Sequence, residues 1–163
     1  MKTLLLLRHA KASRDEVDLA DHERPLNERG KRAAKEAGRF LREQELIPDL
    51  IVSSTAVRAR KTAQKAAKQC DYPQAIELEE QLYLGNAQTH YAVVRKIKVR
   101  GDRLMLVGHN PGISEFVNRL ISGDDEMPTA GLAIVQLPLK HWKDLTARTR
   151  GKLVQFWQQR ESK

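Results

Sequence analysis

The sequence holds a single cysteine, Cys70, among 163 residues. No internal disulfide can form, and no Cys/His spacing typical of a zinc site is present. Cys70 reads as small apolar filler on a helix, compatible with a reducing compartment. Aromatic residues make up only 5% of the chain, too few to build a stacking platform for nucleic-acid bases. The apolar run near the start, Leu4–Leu7, is cut off by Arg8, which makes it too short for a signal-peptide core or a membrane span. Nothing later approaches a span, so a cytoplasmic protein without membrane attachment is expected. No internal repeat, low-complexity tract or Gly/Ser linker divides the chain, and residues 1–163 are read as one domain.

What the chain does have is charge. The formal net charge is +8, which favours anionic partners in general. The basic residues are interspersed with acidic ones on helical patterns, and the Lys/Arg-rich stretch from Arg29 to Arg42 reads as a solvated face. Nucleic acid is therefore not expected as a partner. Few exposed apolar stretches are foreseen, which points to a monomer.

Apolar runs alternate with helical periodicity. Thr3–Leu7, Leu50–Val52, Ile76–Leu78, Leu104–Val107, Leu132–Leu137 and Leu153–Trp157 read as strands. Asp15–Arg24 is polar and unpatterned, hence a loop. Asn27 suits the N-cap of a helix whose apolar face carries Ala33, Ala34, Ala37, Phe40 and Leu41, ending at Ile47-Pro48-Asp49. A second helix carries Ala59, Ala63, Ala66, Ala67 and Cys70. A third is expected from Thr89 to Val99, through Val93, Val94 and Ile97. A fourth starts at Pro111, carries Ile113, Phe116, Val117, Leu120 and Ile121 on one stripe, and is closed by Gly123. Strands alternating with helices predict an α/β fold, three layers deep, with a mostly parallel central sheet. In such sheets ligand sites form beyond the carboxyl ends of the strands.

Three of those strand ends carry reactive side chains: Arg8-His9, Ser53-Ser54 followed by Arg58, and Gly108-His109. A neutral imidazole is a competent nucleophile toward phosphorus. Arginine offers paired planar donors that match phosphate oxygens and stays charged at any working pH. Nearby positive charge would hold the His9 imidazole neutral, and a hydrogen bond at its second ring nitrogen would fix the tautomer. The helix starting near Pro111 would add a positive dipole end close to His109. His22 reads as solvated, with a place at the pocket border as its alternative; His90 and His141 read as structural or solvent-facing, and Trp142 and Trp157 as packing residues. Lys11 and Arg14 could steer anions.

The same residues resemble a known pattern. Leu6-Leu7-Arg8-His9-Ala10 resembles the Arg-His-Gly signature of the histidine phosphatase superfamily. Arg24-Pro25-Leu26-Asn27 with Gly30, then Ser53-Ser54 through Arg58-Ala59 to Thr62, then Val107-Gly108-His109-Asn110-Pro111-Gly112 resemble its further blocks in order. Length, the Gly-His-Asn-Pro-Gly stretch and Pro128–Ala133 look most like the SixA-type phosphohistidine phosphatases. The resemblance implies a phosphoglycerate mutase-like fold without metal or organic cofactor. It makes His9 the phosphorylated nucleophile and gives Arg8, Arg58 and His109 the phosphate pocket, with Arg24 at its rim. It suggests Glu80 as a general acid, with Glu79 beside it. Ala10 departs from the family's glycine and adds one methyl to the loop. The implied substrate is phosphohistidine on a partner protein, such as a histidine phosphotransfer domain. A small phosphorylated substrate, handled by a phosphomonoesterase or mutase on the same site, is the alternative. A phosphate-binding module without turnover is the distant one.

Overall fold

The computed structural model describes residues 1–15 and 18–160; residues 16 and 17 of the predicted loop and 161–163 of the predicted domain lie outside this description. Six strands form one sheet: β1 (Lys2–Arg8), β2 (Leu50–Ser53), β3 (Glu77–Leu78), β4 (Arg103–Gly108), β5 (Leu132–Leu137) and β6 (Lys152–Trp157). Their order is β3-β2-β4-β1-β5-β6. The first four of these run parallel, β5 is antiparallel to β1, and β6 is antiparallel to β5. The predicted α/β architecture with a mostly parallel sheet is therefore what is found.

Strict alternation along the central strands divides the core. Leu4 and Leu6 of β1, with Leu104 and Leu106 of β4, pack against α3 (Ala87–Lys96) and α4 (Gly112–Ile121). Leu5 and Leu7, with Met105 and Val107, face α1 (Glu28–Glu43) and α2 (Val57–Gln69) on the other side. Both faces are covered, which is why these strands are continuously apolar through their middles, Leu4–Leu7 and Leu104–Val107. Trp142 is buried in the first core, and Trp157 stacks on Phe40 with ring centres 5.5 Å apart. Both tryptophans pack as the sequence implied.

Several boundaries shift. α1 starts as predicted, with the Asn27 side chain accepting from the Gly30 N–H at 2.8 Å, but it ends at Glu43. Glu45 adopts a left-handed conformation there (φ 56°), and the Leu46 N–H returns to the Leu41 carbonyl. Ile47-Pro48 thus follows the helix end and does not cause it. α3 begins two residues before the predicted Thr89, because Asn86 caps it, and Ile97–Val99 lie beyond its end. α4 is closed by Ser122 in the left-handed region, one residue before the predicted Gly123. The predicted loop contains a short 3-10 turn, Asp21–Glu23.

α1 and α2 approach so closely that Gly38 has no room for a side chain. A Cβ there would overlap the Ala66 carbonyl oxygen and sit 2.7 Å from the Gln69 Cβ. Gly38→Ala is expected to push the two helices apart and cost roughly 1–3 kcal/mol, read as a lowered midpoint of thermal or urea unfolding. An unchanged midpoint would mean that the helix pair yields without strain.

Candidate active site

The parallel strands β1, β2 and β4 end at one edge of the sheet, and the three sequence elements meet there. His9 follows β1, with its N–H donating to the Gly108 carbonyl and its carbonyl accepting from Ala130 N–H, both at 3.0 Å. His109 follows β4, and its ring centre is 5.0 Å from that of His9. Arg58 sits in the first turn of α2, directly after β2. His9, Arg58 and His109 are 8%, 7% and 6% exposed, so three ionisable side chains are withdrawn from water together.

One hydroxyl joins two of these elements. Thr62 Oγ1 donates to the Arg58 carbonyl at 2.7 Å and accepts the Ala10 N–H at 3.0 Å. That is the physical content of the Ser-x-x-x-Arg-Ala-x-x-Thr spacing: a threonine one helical turn after Arg58 fastens the loop carrying His9. Ala10 itself is fully buried among Leu26, Ala33, Ala34 and Ala130. It is not among the residues of positive φ, so alanine fits where glycine is usual.

The hydrogen bonds assign the His9 tautomer. Nδ1 lies 2.8 Å from the Ala10 carbonyl, an acceptor only, so Nδ1 carries the proton and donates. Nε2 then holds a free lone pair. Burial is the main cause that pushes the His9 pKa down to about 4, with the charges of Arg58, Arg8 and Arg24 adding to it. His109 is pushed down to about 3, first by burial and then by His9 and Arg58. The imidazole is thus neutral, as expected, but desolvation outweighs the cationic neighbours that the sequence suggested as the cause. His109 Nε2 is 2.7 Å from Ser54 Oγ. Its Nδ1 and the Nε of Arg8 are both buried without a partner among the described residues. Arg8 is held by donating from Nη1 to the Met127 carbonyl at 2.9 Å.

Two participants escaped the sequence reading. Asp21 accepts from Arg58 Nη2 at 3.0 Å and from Arg24 Nη1 at 2.8 Å, while its backbone carbonyl accepts from Arg58 Nη1 at 2.7 Å. Tyr83 donates its hydroxyl to the same carboxylate, and its ring meets that of His109 edge-on with centres 5.4 Å apart. The Tyr83 hydrogen bond, followed by those from the two arginines, holds the Asp21 carboxyl well below the usual carboxylate range. The only sequence hint was an acid three residues before Arg24. For His22 it is the alternative reading, a place at the border, that fits: the ring adjoins this network. It is half-buried, with Nε2 2.9 Å from Thr55 Oγ1 and its ring edge-on to Tyr83. Of the two readings for His90 the structural one fits: it is buried, and its Nδ1 donates to the Asn86 carbonyl.

Arg24 lines a cavity of about 380 Å³ together with Arg8, His9, Lys11 and Arg14. Glu80 stands apart. It is exposed at the head of a 3-10 turn (Glu80–Leu82) and lines a different cavity, which it shares with Tyr83. Among the described residues no hydrogen bond or ion pair joins its carboxylate to His9, Arg58 or His109.

The pH dependence follows from the buried imidazoles. A nucleophilic role for His9 requires the neutral ring; under that role kcat/KM is expected to hold from neutral pH down to about 5 and to fall through about 4, once the substrate's own ionisation is allowed for. Stability has the same sign. An unfolded histidine takes a proton near 6.5, well above the folded value, so stability should decline as pH falls from about 6.5 toward 4. A pH–rate profile with its acid limb near 6.5 would show a solvated His9.

Among the described residues no helix is long and apolar enough to cross a membrane. The sequence model of the histidine phosphatase superfamily (branch 1) matches residues 4–83. An uncharacterized protein of Mycobacterium tuberculosis is 34% identical over 150 residues, covering 85% of this chain and 91% of its own. A solved structure from Agrobacterium tumefaciens, described as a candidate phosphohistidine phosphatase SixA, superposes with a TM-score of 0.81. It is 29% identical over 96% of this chain and 97% of that one. The protein histidine phosphatase SixA in complex with tungstate superposes with a TM-score of 0.80 at 19% identity, covering 96% of both chains, which speaks to the fold. Order of motifs, sheet topology and matched sequence agree, and the chain belongs to the histidine phosphatase superfamily.

Proposed function

We propose that the protein removes the phosphoryl group from phosphohistidine on a partner protein, by way of a covalent intermediate on His9. Phosphatase chemistry as such comes with the family; the residue roles and the substrate are the present reading. His9 Nε2 attacks phosphorus and a new N–P bond forms as the substrate's N–P bond breaks. The departing imidazole keeps the bonding pair, takes a proton from solvent and leaves as a neutral ring, while phosphorylated His9 keeps its Nδ1 proton on the Ala10 carbonyl. Water then attacks the phosphohistidine, releases orthophosphate and restores the neutral His9. Such transfers gain most from positioning and charge stabilisation. Arg8, Arg58 and His109 supply these around the phosphoryl oxygens, with Arg24 at the rim.

One observation carries this reading. Arg8 Nε and His109 Nδ1 are buried polar atoms without partners among the described residues; Arg8 lines one cavity with His9, and the His109 ring centre is 5.0 Å from that of His9. Buried polar groups left unsatisfied are costly; a phosphoryl oxygen would accept from Arg8 Nε, and from His109 Nδ1 in the tautomer whose Nε2 accepts from the Ser54 hydroxyl. A nitrogen leaving group asks less of a general acid than an alcohol does. That agrees with the outlying position of Glu80, whose role as acid would be auxiliary. The reading also takes residues 1–163 as one domain, acting as a monomer.

The test is loss of label from a phosphorylated histidine phosphotransfer domain, run beside sugar phosphates and phosphoglycerates. Release from the phosphohistidine domain, with the highest kcat/KM of the panel, is the expected result. Preference for a sugar phosphate or phosphoglycerate would replace the protein substrate by a small one.

A further inference from the structure

A second cavity, of about 420 Å³, adjoins the one at His9. Lys11 and Thr129 line both. The outer cavity adds Arg29, Gln158 and Arg160, so three cations and several amide or hydroxyl donors surround it, and no acidic side chain lines it among the described residues. We propose that this cavity is a second oxyanion subsite, and that the substrate carries another anionic group beside the phosphoryl group bound at His9. The inference rests on the reading of the His9 site as the place of phosphoryl transfer and adds the chemistry of what surrounds the transferred group.

The shared wall is firmly built. The Lys11 carbonyl accepts the Asn27 N–H at 3.0 Å, and α1 presses so close that a Cβ at Gly30 would overlap that carbonyl oxygen. Ala12 pairs with Leu26 beside it. On the opposite side Thr129 precedes Ala130, whose N–H donates to the His9 carbonyl, and the Gly131 carbonyl accepts from Arg8 N–H. Both walls are thus tied to the segment bearing the nucleophile, and the distance between the two anion positions is set by backbone. Clustered positive charge in a recess raises the local concentration of anions, and arginine forks favour oxyanions over other ligands. A cavity of this size matches small-ligand sites. The second oxyanion can be a phosphate of a small doubly phosphorylated compound or a carboxylate beside the phosphohistidine on a protein surface.

Calorimetric binding of tripolyphosphate and of orthophosphate, at equal ionic strength, tests the subsite directly. Tripolyphosphate is expected to engage both positions and so to bind at least about tenfold more tightly. In an Arg29→Ala/Arg160→Ala double variant this ratio should collapse toward one. A Lys61→Ala/Lys65→Ala variant on α2, with the same change of net charge, should retain it. A ratio near one in the unaltered protein, or a ratio that falls equally in both variants, overturns the subsite. Failure of orthophosphate to bind at all would instead overturn the reading of the His9 site. The source of the second anion is then separated by turnover. Faster release from a phosphohistidine peptide flanked by glutamates than from one flanked by alanines assigns it to protein. Preference confined to a bisphosphorylated small compound assigns it to a metabolite.

Discussion

Replacing His9 by alanine is expected to lower kcat by at least about 10⁴-fold, the scale seen when a covalent nucleophile is removed. The reason lies in what the neighbouring groups cannot do. Arg8 and Arg58 are donors with no lone pair to offer. His109 is neutral, but its Nε2 is engaged with Ser54. Among these four side chains, His9 combines a neutral ring, a proton fixed on Nδ1 by the Ala10 carbonyl, and an Nε2 with no partner among the described residues. The variant should still bind orthophosphate weakly, since the donors remain. Unaltered protein quenched during turnover should carry acid-labile, alkali-stable phosphate, and His9→Ala should carry none. Equal release of phosphate by the two proteins, with folding verified by circular dichroism, would remove His9 from the mechanism.

Arg58→Ala is expected to be the next most severe change, lowering kcat/KM by roughly a hundredfold or more, equivalent to about 3 kcal/mol for one charged donor to the transition state. Two effects combine. The phosphoryl group loses a buried guanidinium, and Asp21 loses one of the cations that it bridges. The Arg58 charge also helps to hold down the pKa of both His9 and His109. Its removal should therefore move the acid limb of the pH–rate profile upward from about 4, a change that simple loss of contact would not produce. Arg58→Lys should restore the position of that limb more fully than the rate, because a point charge replaces the field but not the paired donors. Glu80→Gln should be the mildest of the three. If it ranked first, protonation of the leaving group would be the dominant requirement. Activity within about threefold of normal for Arg58→Ala would place the guanidinium outside the transition state.

The strand ends were readable because they join two strong local signals. Continuous apolar runs mark strands buried on both faces, and the abrupt change to Arg8-His9, Ser53-Ser54 and Gly108-His109 marks where those strands stop. Parallel topology then brings the three together without further information. Asp21 and Tyr83 lacked any such marker. Asp21 lies in a polar segment without period, and Tyr83 follows two glutamates in a stretch where neither helix nor strand is long enough to pattern. Their importance comes from meeting Arg58 across a sequence separation of 37 and 25 residues, a tertiary fact. The end of α1 was misplaced for a related reason. Proline is a visible stop, whereas the left-handed turn at Glu45 uses a residue that favours helices elsewhere. The depressed pKa of His9 was foreseen in direction only. Its leading cause, burial, depends on how deeply the loop is drawn in.

The Thr62 hydroxyl has an implication for how the enzyme fails. Since a single side chain braces both the helix turn that holds Arg58 and the peptide following His9, anion recognition and phosphoryl capture should not decay separately on heating. Thr62→Val keeps the size but severs the brace. In that protein, orthophosphate affinity and phosphoenzyme formation should part company before global melting, a loosened mechanism inside an intact shell.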